Sequence, residues 1–291
     1  MQDIKQRSLV RADAHILSPS STAAQGVALN TVTSKEPSTS PMRKRTISTY
    51  LNESIREDLL LELELLLLAF GTGIQDACTY PDFFCFASNQ TGNTVLLAIG
   101  VSGLAPGAFQ FENIGISLSL FLAGGWVAGQ IGNVVGTRRR LWLLLSSLIQ
   151  TAMVWAAVAI QYCYPVVKNG PTSYLVLSLL AFSSAAQVAM SRGLKITEIT
   201  TAMATAAYVD LVIDPNLYKG TNRGRNRRFA FLLALAGGSF AGAFANKGVN
   251  SAFALLIAAI IKTIAMLGLF FNRPVSLEEM DVKVDQVLML G

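Results

Sequence analysis

The sequence is short of charge. Only 14% of its 291 residues are Asp, Glu, Lys or Arg, where a soluble domain carries about a quarter. An ordinary soluble globular chain is therefore excluded. Histidine is nearly missing too: His15 is the only one, and it lies in a polar N-terminal stretch. A mechanism that needs a catalytic or metal-binding histidine near the membrane is thereby nearly excluded. The three cysteines, Cys78, Cys85 and Cys163, form neither a disulfide framework nor a zinc pattern; each sits in or beside an apolar run and reads as a small buried hydrophobe. Paired catalytic carboxylates, a nucleophile elbow and a P-loop are also absent, because Gly71-Thr72-Gly73 is not followed by a phosphate-binding fingerprint. The expectation is a chain that is not an enzyme, holds no metal or cofactor, and does not itself hydrolyse ATP.

What the sequence does have is apolar length. Hydrophobic residues make up 52% and the mean hydropathy is +0.46. They come in long runs, which is the composition of a membrane protein rather than of a large soluble core. The net charge of +5 comes from residues outside those runs. It points to the lipid bilayer and its anionic headgroups as partner, and not to nucleic acid.

Residues 1–53 read as a disordered polar and basic tail. No apolar signal region follows Met1, so a cleaved signal peptide is not expected. Arg43, Lys44 and Arg45 precede Thr46 and Ser48, as a membrane-flanking basic cluster or as a phosphorylation target. Ser54-Ile55-Arg56-Glu57 has the form of a capping box ahead of a leucine run. Apolar segments then fall at about 59–77, 84–105, 113–136, 141–163, 173–190, 196–213, 229–246 and 251–271, each close to the roughly 20 residues that cross a bilayer. The second carries the polar string 88–93 and the sixth is rich in Thr and Ala. Either can be a broken or partial helix, which leaves six to eight spans.

A pattern occurs twice. Leu120, Leu122, Ala123, Gly124, Gly125, Ala128, Gly129 and Asn133 recur 113 residues later as Leu233, Leu235, Ala236, Gly237, Gly238, Ala241, Gly242 and Asn246. The same shift superposes the first four segments on the last four, and Gln75 nearly meets Gln187. The expected fold is an all-α polytopic integral membrane protein of two pseudo-symmetric halves, residues 54–168 and 169–272, followed by a short acidic tail, 273–291. Eight spans would put Arg138, Arg139 and Arg140 opposite the tails and the basic loop between Lys219 and Arg228. The positive-inside rule then places the tails in the cytoplasm against a real conflict. An odd number of spans per half would invert the repeats.

Small residues let helices approach closely in lipid, so Gly124, Gly125, Gly129, Gly237, Gly238 and Gly242 are helix-packing candidates. Asp76, near the end of the first span, is the sharpest chemical candidate. It binds an ion, a proton or a substrate, or else is an interfacial carboxylate open to water. Asn89, Thr91, Gly92 and Asn93 offer donors, acceptors and free N–H groups at a helix start, as a polar-ligand site or as a helix cap. Thr205 and Asp210 lie in the equivalent stretch of the second half. Lys262, near the middle of the last span, requires a carboxylate such as Asp210 or Asp76, or must snorkel to the interface.

The residues Gly73-Ile74-Gln75-Asp76-Ala77, then Phe84 to Phe86, then Thr91-Gly92-Asn93-Thr94 resemble the YoaK-like family of membrane proteins, also called domain of unknown function 1275. The stretch from Thr201 to Asp210 and Ala123-Gly124-Gly125 resemble its second-half landmarks. Tyr208-Val209-Asp210-Leu211 and the long tail are similar to fungal members, while Ala206 stands where bacterial relatives carry glycine. The resemblance covers about residues 55–272 and implies a multi-pass membrane protein with no agreed activity. The reading that results is a secondary transporter or exporter of an unidentified small molecule, with its site between the halves. The alternative is a non-transporting membrane scaffold, such as one beside a specialised-metabolite pathway. Self-association into a homo-oligomer is compatible with either.

Overall fold

The computed structural model describes residues 46–104 and 110–275, and every described element is helical. A short helix, α1 (Ile47–Asn52), precedes α2 (Leu59–Phe83), α3 (Gln90–Val101), α4 (Phe111–Val135), α5 (Arg140–Cys163), α6 (Pro171–Gly193), α7 (Ala204–Val212), α8 (Arg223–Gly248) and α9 (Ser251–Gly268). Five of these, α4, α5, α6, α8 and α9, are long and apolar enough to cross a membrane. Helix α2 matches them in length, but Glu62, Glu64, Gln75, Asp76 and Asp82 are spread along it and leave no membrane-length stretch as apolar. The two doubtful apolar segments are short helices, α3 and α7, of 12 and 9 residues.

Local chemistry sets the helix starts. Asp58 accepts the N–H of Leu61 at the head of α2, Asn222 caps α8 and Asn250 caps α9. Each supplies an oxygen to an otherwise unpaired first-turn donor. Pro171 opens α6, where its missing N–H costs nothing. Helix α2 stops at Phe84, which adopts a left-handed conformation with φ of 55° and returns its N–H to Tyr80.

The long helices pack in a crossed pattern. Helix α2 lies against α8 and α9, and α6 lies against α4 and α5, while α5 and α9 meet each other. Helices α3 and α7 rest on α4 and α8 respectively. Helix α6 is the most enclosed of the apolar five, whereas α4 and α8 turn most of their surface outward, with Trp126, Leu122, Phe240 and Phe244 exposed. Outward apolar side chains of this kind are those a bilayer solvates.

Two expectations change here. Residues 46–53 are not all tail, because they include α1. The 54–57 segment is not a capping box but an extended strap. Ile55 donates its N–H to Arg138 O at 3.0 Å, and Arg56 donates to Arg273 O at 2.8 Å. Ile55 is fully buried. Pairing with two distant loops, plus burial of one isoleucine, outweighs a local box worth about 1 kcal/mol. Of the expected tails, 1–53 and 273–291, residues 1–45 and 276–291 lie outside the described residues.

Candidate functional site

Three polar clusters occupy three levels of the bundle. For reference, the proximal end is where α2 begins and the distal end is where it finishes.

The proximal cluster is ionic. Glu62 of α2 accepts from Arg227 of α8 at 2.6 Å and pairs with Arg223. Arg227 also pairs with Glu57 and lies 3.6 Å from Glu198. Arg228 reaches Asp214 at 3.3 Å and Asp210 at 4.0 Å. The N–H of Asn216 and the amide of Asn222, with Arg228 beside them, hold the Asp214 carboxyl below the usual carboxylate range. Arg140 is buried and donates to the backbone oxygens of Leu269, Phe270 and Asn272 at 2.6–3.2 Å, with its guanidinium over the Tyr50 ring. Arg138 donates to Leu194 O at 2.9 Å. Those carbonyls belong to the ends of α9 and α6. The arginines at the start of α5 therefore share a face with the N-terminus of α2 and the basic loop. They do not sit opposite it, as an eight-span count requires, because α3 and α7 are too short to cross: 12 residues rise about 18 Å against a hydrocarbon core of about 30 Å.

The distal cluster joins α2 to α3. The Asp76 carboxylate accepts the N–H of Ser88 at 2.8 Å and the Ser88 hydroxyl. Asn89 accepts the N–H of Gly92 at 3.1 Å. Asn93 is fully buried. Its amide donates to Phe86 O and Gln90 Oε1, both at 2.8 Å, while its oxygen accepts from Phe86 N. Ser117 of α4 joins through Phe86 O at 2.7 Å. An aspartate facing the start of α3 complements the positive end of that helix. In this arrangement Asp76 fastens a half-helix to α2, and the N–H groups of Ser88, Gln90, Gly92 and Asn93 are already used. Thr91 points outward, and a Cβ on Gly92 would meet the Phe86 ring at 3.0 Å.

Asp76, Asn89, Gly92 and Asn93 are thus brought together, with Thr91 on the outer side of the same turn. Thr205 and Asp210 are not with them. Both are exposed on α7 at the proximal end, and Asp210 faces Arg228. Fourteen residues of α2 separate Glu62 from Asp76, about 21 Å at helical rise. The single site expected between the halves from these seven residues is therefore two places at opposite ends.

The middle cluster joins three residues that the sequence marks only separately, Gln75, Gln187 and Lys262. Gln75 of α2 donates to Leu180 O at 3.3 Å and Ser184 Oγ at 2.7 Å on α6. Gln187 of α6 donates to Leu68 O at 3.4 Å and Thr72 Oγ1 at 3.0 Å on α2. All four side chains are buried. Lys262 of α9 donates to Ser183 Oγ at 3.0 Å and to Gln187 Oε1 at 2.9 Å, and is only 7% exposed. It pairs with neither Asp210 nor Asp76, and it does not snorkel: its amine points to the middle of α6. A narrow cavity lies beside it, lined by Gly71, Thr72, Gln75 and Gln187. A second, more apolar one runs from Lys262 toward Glu64 and Leu269. Among the described residues no group of His, Cys, Asp and Glu could hold a metal ion.

The glycines divide. A Cβ on Gly124 would stand 2.7 Å from Phe182 O, one on Gly238 2.0 Å from Phe70 O, and one on Gly242 2.6 Å from Ile74 Cα. These three are where helix backbones touch. At Gly125, Gly129 and Gly237 a Cβ would meet nothing nearer than 3.5 Å, so no close backbone approach requires glycine there. Gly73, passed over in the sequence, has Leu235 O 2.3 Å from its would-be Cβ.

A family profile described as a protein of unknown function (DUF1275) matches residues 65–268, and the chain belongs to that family. No curated protein and no solved structure matches it.

Proposed function

We propose that this member of an uncharacterised membrane-protein family is a secondary transporter for a small molecule. Its two halves, 54–168 and 169–272, would form an inverted repeat. The observation that carries the reading is the pair of glutamine clasps. Gln75 holds Leu180 and Ser184, and Gln187 holds Leu68 and Thr72. Each contact maps onto its counterpart by the same shift of 112 residues. The crossed packing of α2 on α8 and of α6 on α4 repeats that exchange, and Gly238 approaches Phe70 as Gly124 approaches Phe182, although these glycines lie 114 residues apart, one position off the sequence pairing.

Six long helices and two half-helices give three crossings per half, and an odd number inverts the second half relative to the first. Helices α3 and α7 then end up at opposite faces. Inverted halves with broken helices are a recurrent transporter architecture, with the site at mid-depth where the halves meet. Here that level holds Gln75, Gln187 and Lys262. The distal Asp76, Asn89, Thr91, Gly92 and Asn93 and the proximal Thr205 and Asp210 would flank the two mouths. With this count, Arg138, Arg139, Arg140, Arg192, Lys195, the 219–228 loop and Arg273 share the face of both tails, which the positive-inside rule assigns to the cytoplasm.

The test is thermal melting of detergent-purified protein against ions, organic acids, sugars and amines, followed by uptake into liposomes. Ligand-dependent stabilisation that Gln187→Leu abolishes, together with uptake, supports transport, since binding to the folded state raises the melting temperature. A flat panel and tight liposomes that take up nothing would sink it in favour of a membrane scaffold.

A further inference from the structure

Lys262 carries a buried amine without a counter-charge. No carboxylate lies within ion-pair distance of it among the described residues; its partners are a serine hydroxyl and a glutamine oxygen. A lone buried ammonium is costly, and burial is tolerated when an opposite charge completes the pair. Helix α9 does nothing to relieve that cost, because Lys262 lies well inside it with Ala258, Ala259 and Ala265 buried around it.

The neighbouring carboxylate does not supply the missing charge. Glu64 Oε2 accepts from Asn272 at 2.8 Å, and Glu64 Oε1 faces Gly268. Gly268 is six residues beyond Lys262 on α9, about 9 Å at helical rise. The hydrogen bonds at the amine are directed as well. Gln187 gives both amide hydrogens to α2, to Leu68 O and Thr72 Oγ1, which turns its oxygen toward Lys262. Ser183 donates its own proton to Gln150 O at 3.0 Å, so its oxygen is an acceptor for Lys262. Two of the three ammonium hydrogens are thus taken by fixed acceptors. The third has no partner among the described residues, and the narrow cavity lined by Gly71, Thr72, Gln75 and Gln187 opens beside it. Gly71 leaves that wall open, since a Cβ there would meet nothing nearer than 3.8 Å. The room is that of about one water molecule or one small ion.

We propose that this cavity binds a small monatomic anion, no larger than chloride, which completes the ion pair of Lys262 between α2, α6 and α9. The inference names a substrate class for the transporter reading and rests on it only for the claim that the bound anion moves.

Binding and movement are tested separately. Detergent-purified protein is melted in sodium gluconate at fixed ionic strength while gluconate is replaced stepwise by fluoride or chloride. The expected result is a saturable rise with at least one of them, roughly 3–6 °C at ten times its dissociation constant. Lys262→Met abolishes the rise. Gly71→Ala, which narrows the cavity and keeps the charge, weakens it at least tenfold in half-saturating concentration and serves alone if Lys262→Met does not fold. Glu64→Gln keeps it. No response from wild type, or an equal response from either cavity variant, overturns the site. Uptake of the stabilising anion into liposomes is then measured. A binding site without uptake leaves the anion site standing and removes the transporter reading; uptake of another solute without anion binding does the reverse.

Discussion

At the residue scale, one atom separates glycines that matter from glycines that do not. Gly238→Ala drives a methyl into Phe70 O, a backbone atom that cannot turn aside. Overpacking of this kind costs about 1–3 kcal/mol, and the variant should melt several degrees lower in detergent. Gly129→Ala meets open space and should melt within a degree of wild type. An equal loss from both would show that helix propensity, not close approach, governs these positions. The sequence offered six glycines in two copies of one pattern and no means of dividing them. Whether a glycine touches a neighbouring backbone depends on the rotation of its helix, which the long-range contact of α8 with α2 decides. Lys262 was legible as an anomaly, and its lack of a carboxylate was not. The nearest acids in an imagined bundle were Asp76 and Asp210, each committed elsewhere in the folded chain.

At the element scale, the half-helices were the most legible feature. Strings of Asn, Gln and Thr in the second apolar segment, and of Thr and Ala in the sixth, weaken a bilayer-spanning reading, and α3 and α7 are short where those strings fall. The strap at 54–57 was not legible. A Ser-x-x-Glu pattern is local, whereas the two loops that pair with Ile55 and Arg56 lie some 80 and 220 residues away. Arg140 is the second half of that closure, because it gathers the last carbonyls of α9. Arg140→Met should cost about 3 kcal/mol, the usual loss on removing a buried charge that several acceptors rely on. The loss should be local: amide hydrogen exchange should quicken at 269–275 and around Tyr50 while α3 is unaffected. Uniformly faster exchange would mean that the residue supports the whole bundle and not this end.

At the scale of the whole molecule, the parity of crossings decides where every loop lies. Parity is a sum over all helices, so a single segment that does or does not cross reverses half of the chain; eight crossings put Arg138, Arg139 and Arg140 opposite the tails, and six put them on the same face. Single cysteines at Arg139, Lys219 and Lys247, placed in a background lacking the exposed Cys163, separate the two counts. Six crossings predict that positions 139 and 219 react with a membrane-impermeant maleimide from the same side and 247 from the other. Eight crossings predict that 139 reacts with 247. Helix α2 has a further consequence, one for biosynthesis. It is the first long helix of the described chain, yet acids and amides spread along it leave no membrane-length stretch as apolar as those of the other five long helices. The helices that enclose it, α8 and α9, leave the ribosome more than 150 residues later. The insertion machinery must therefore shelter a half-polar first segment until the end of translation. A chain interrupted after α6 would leave it without its covers, exposed to quality control as an unassembled helix.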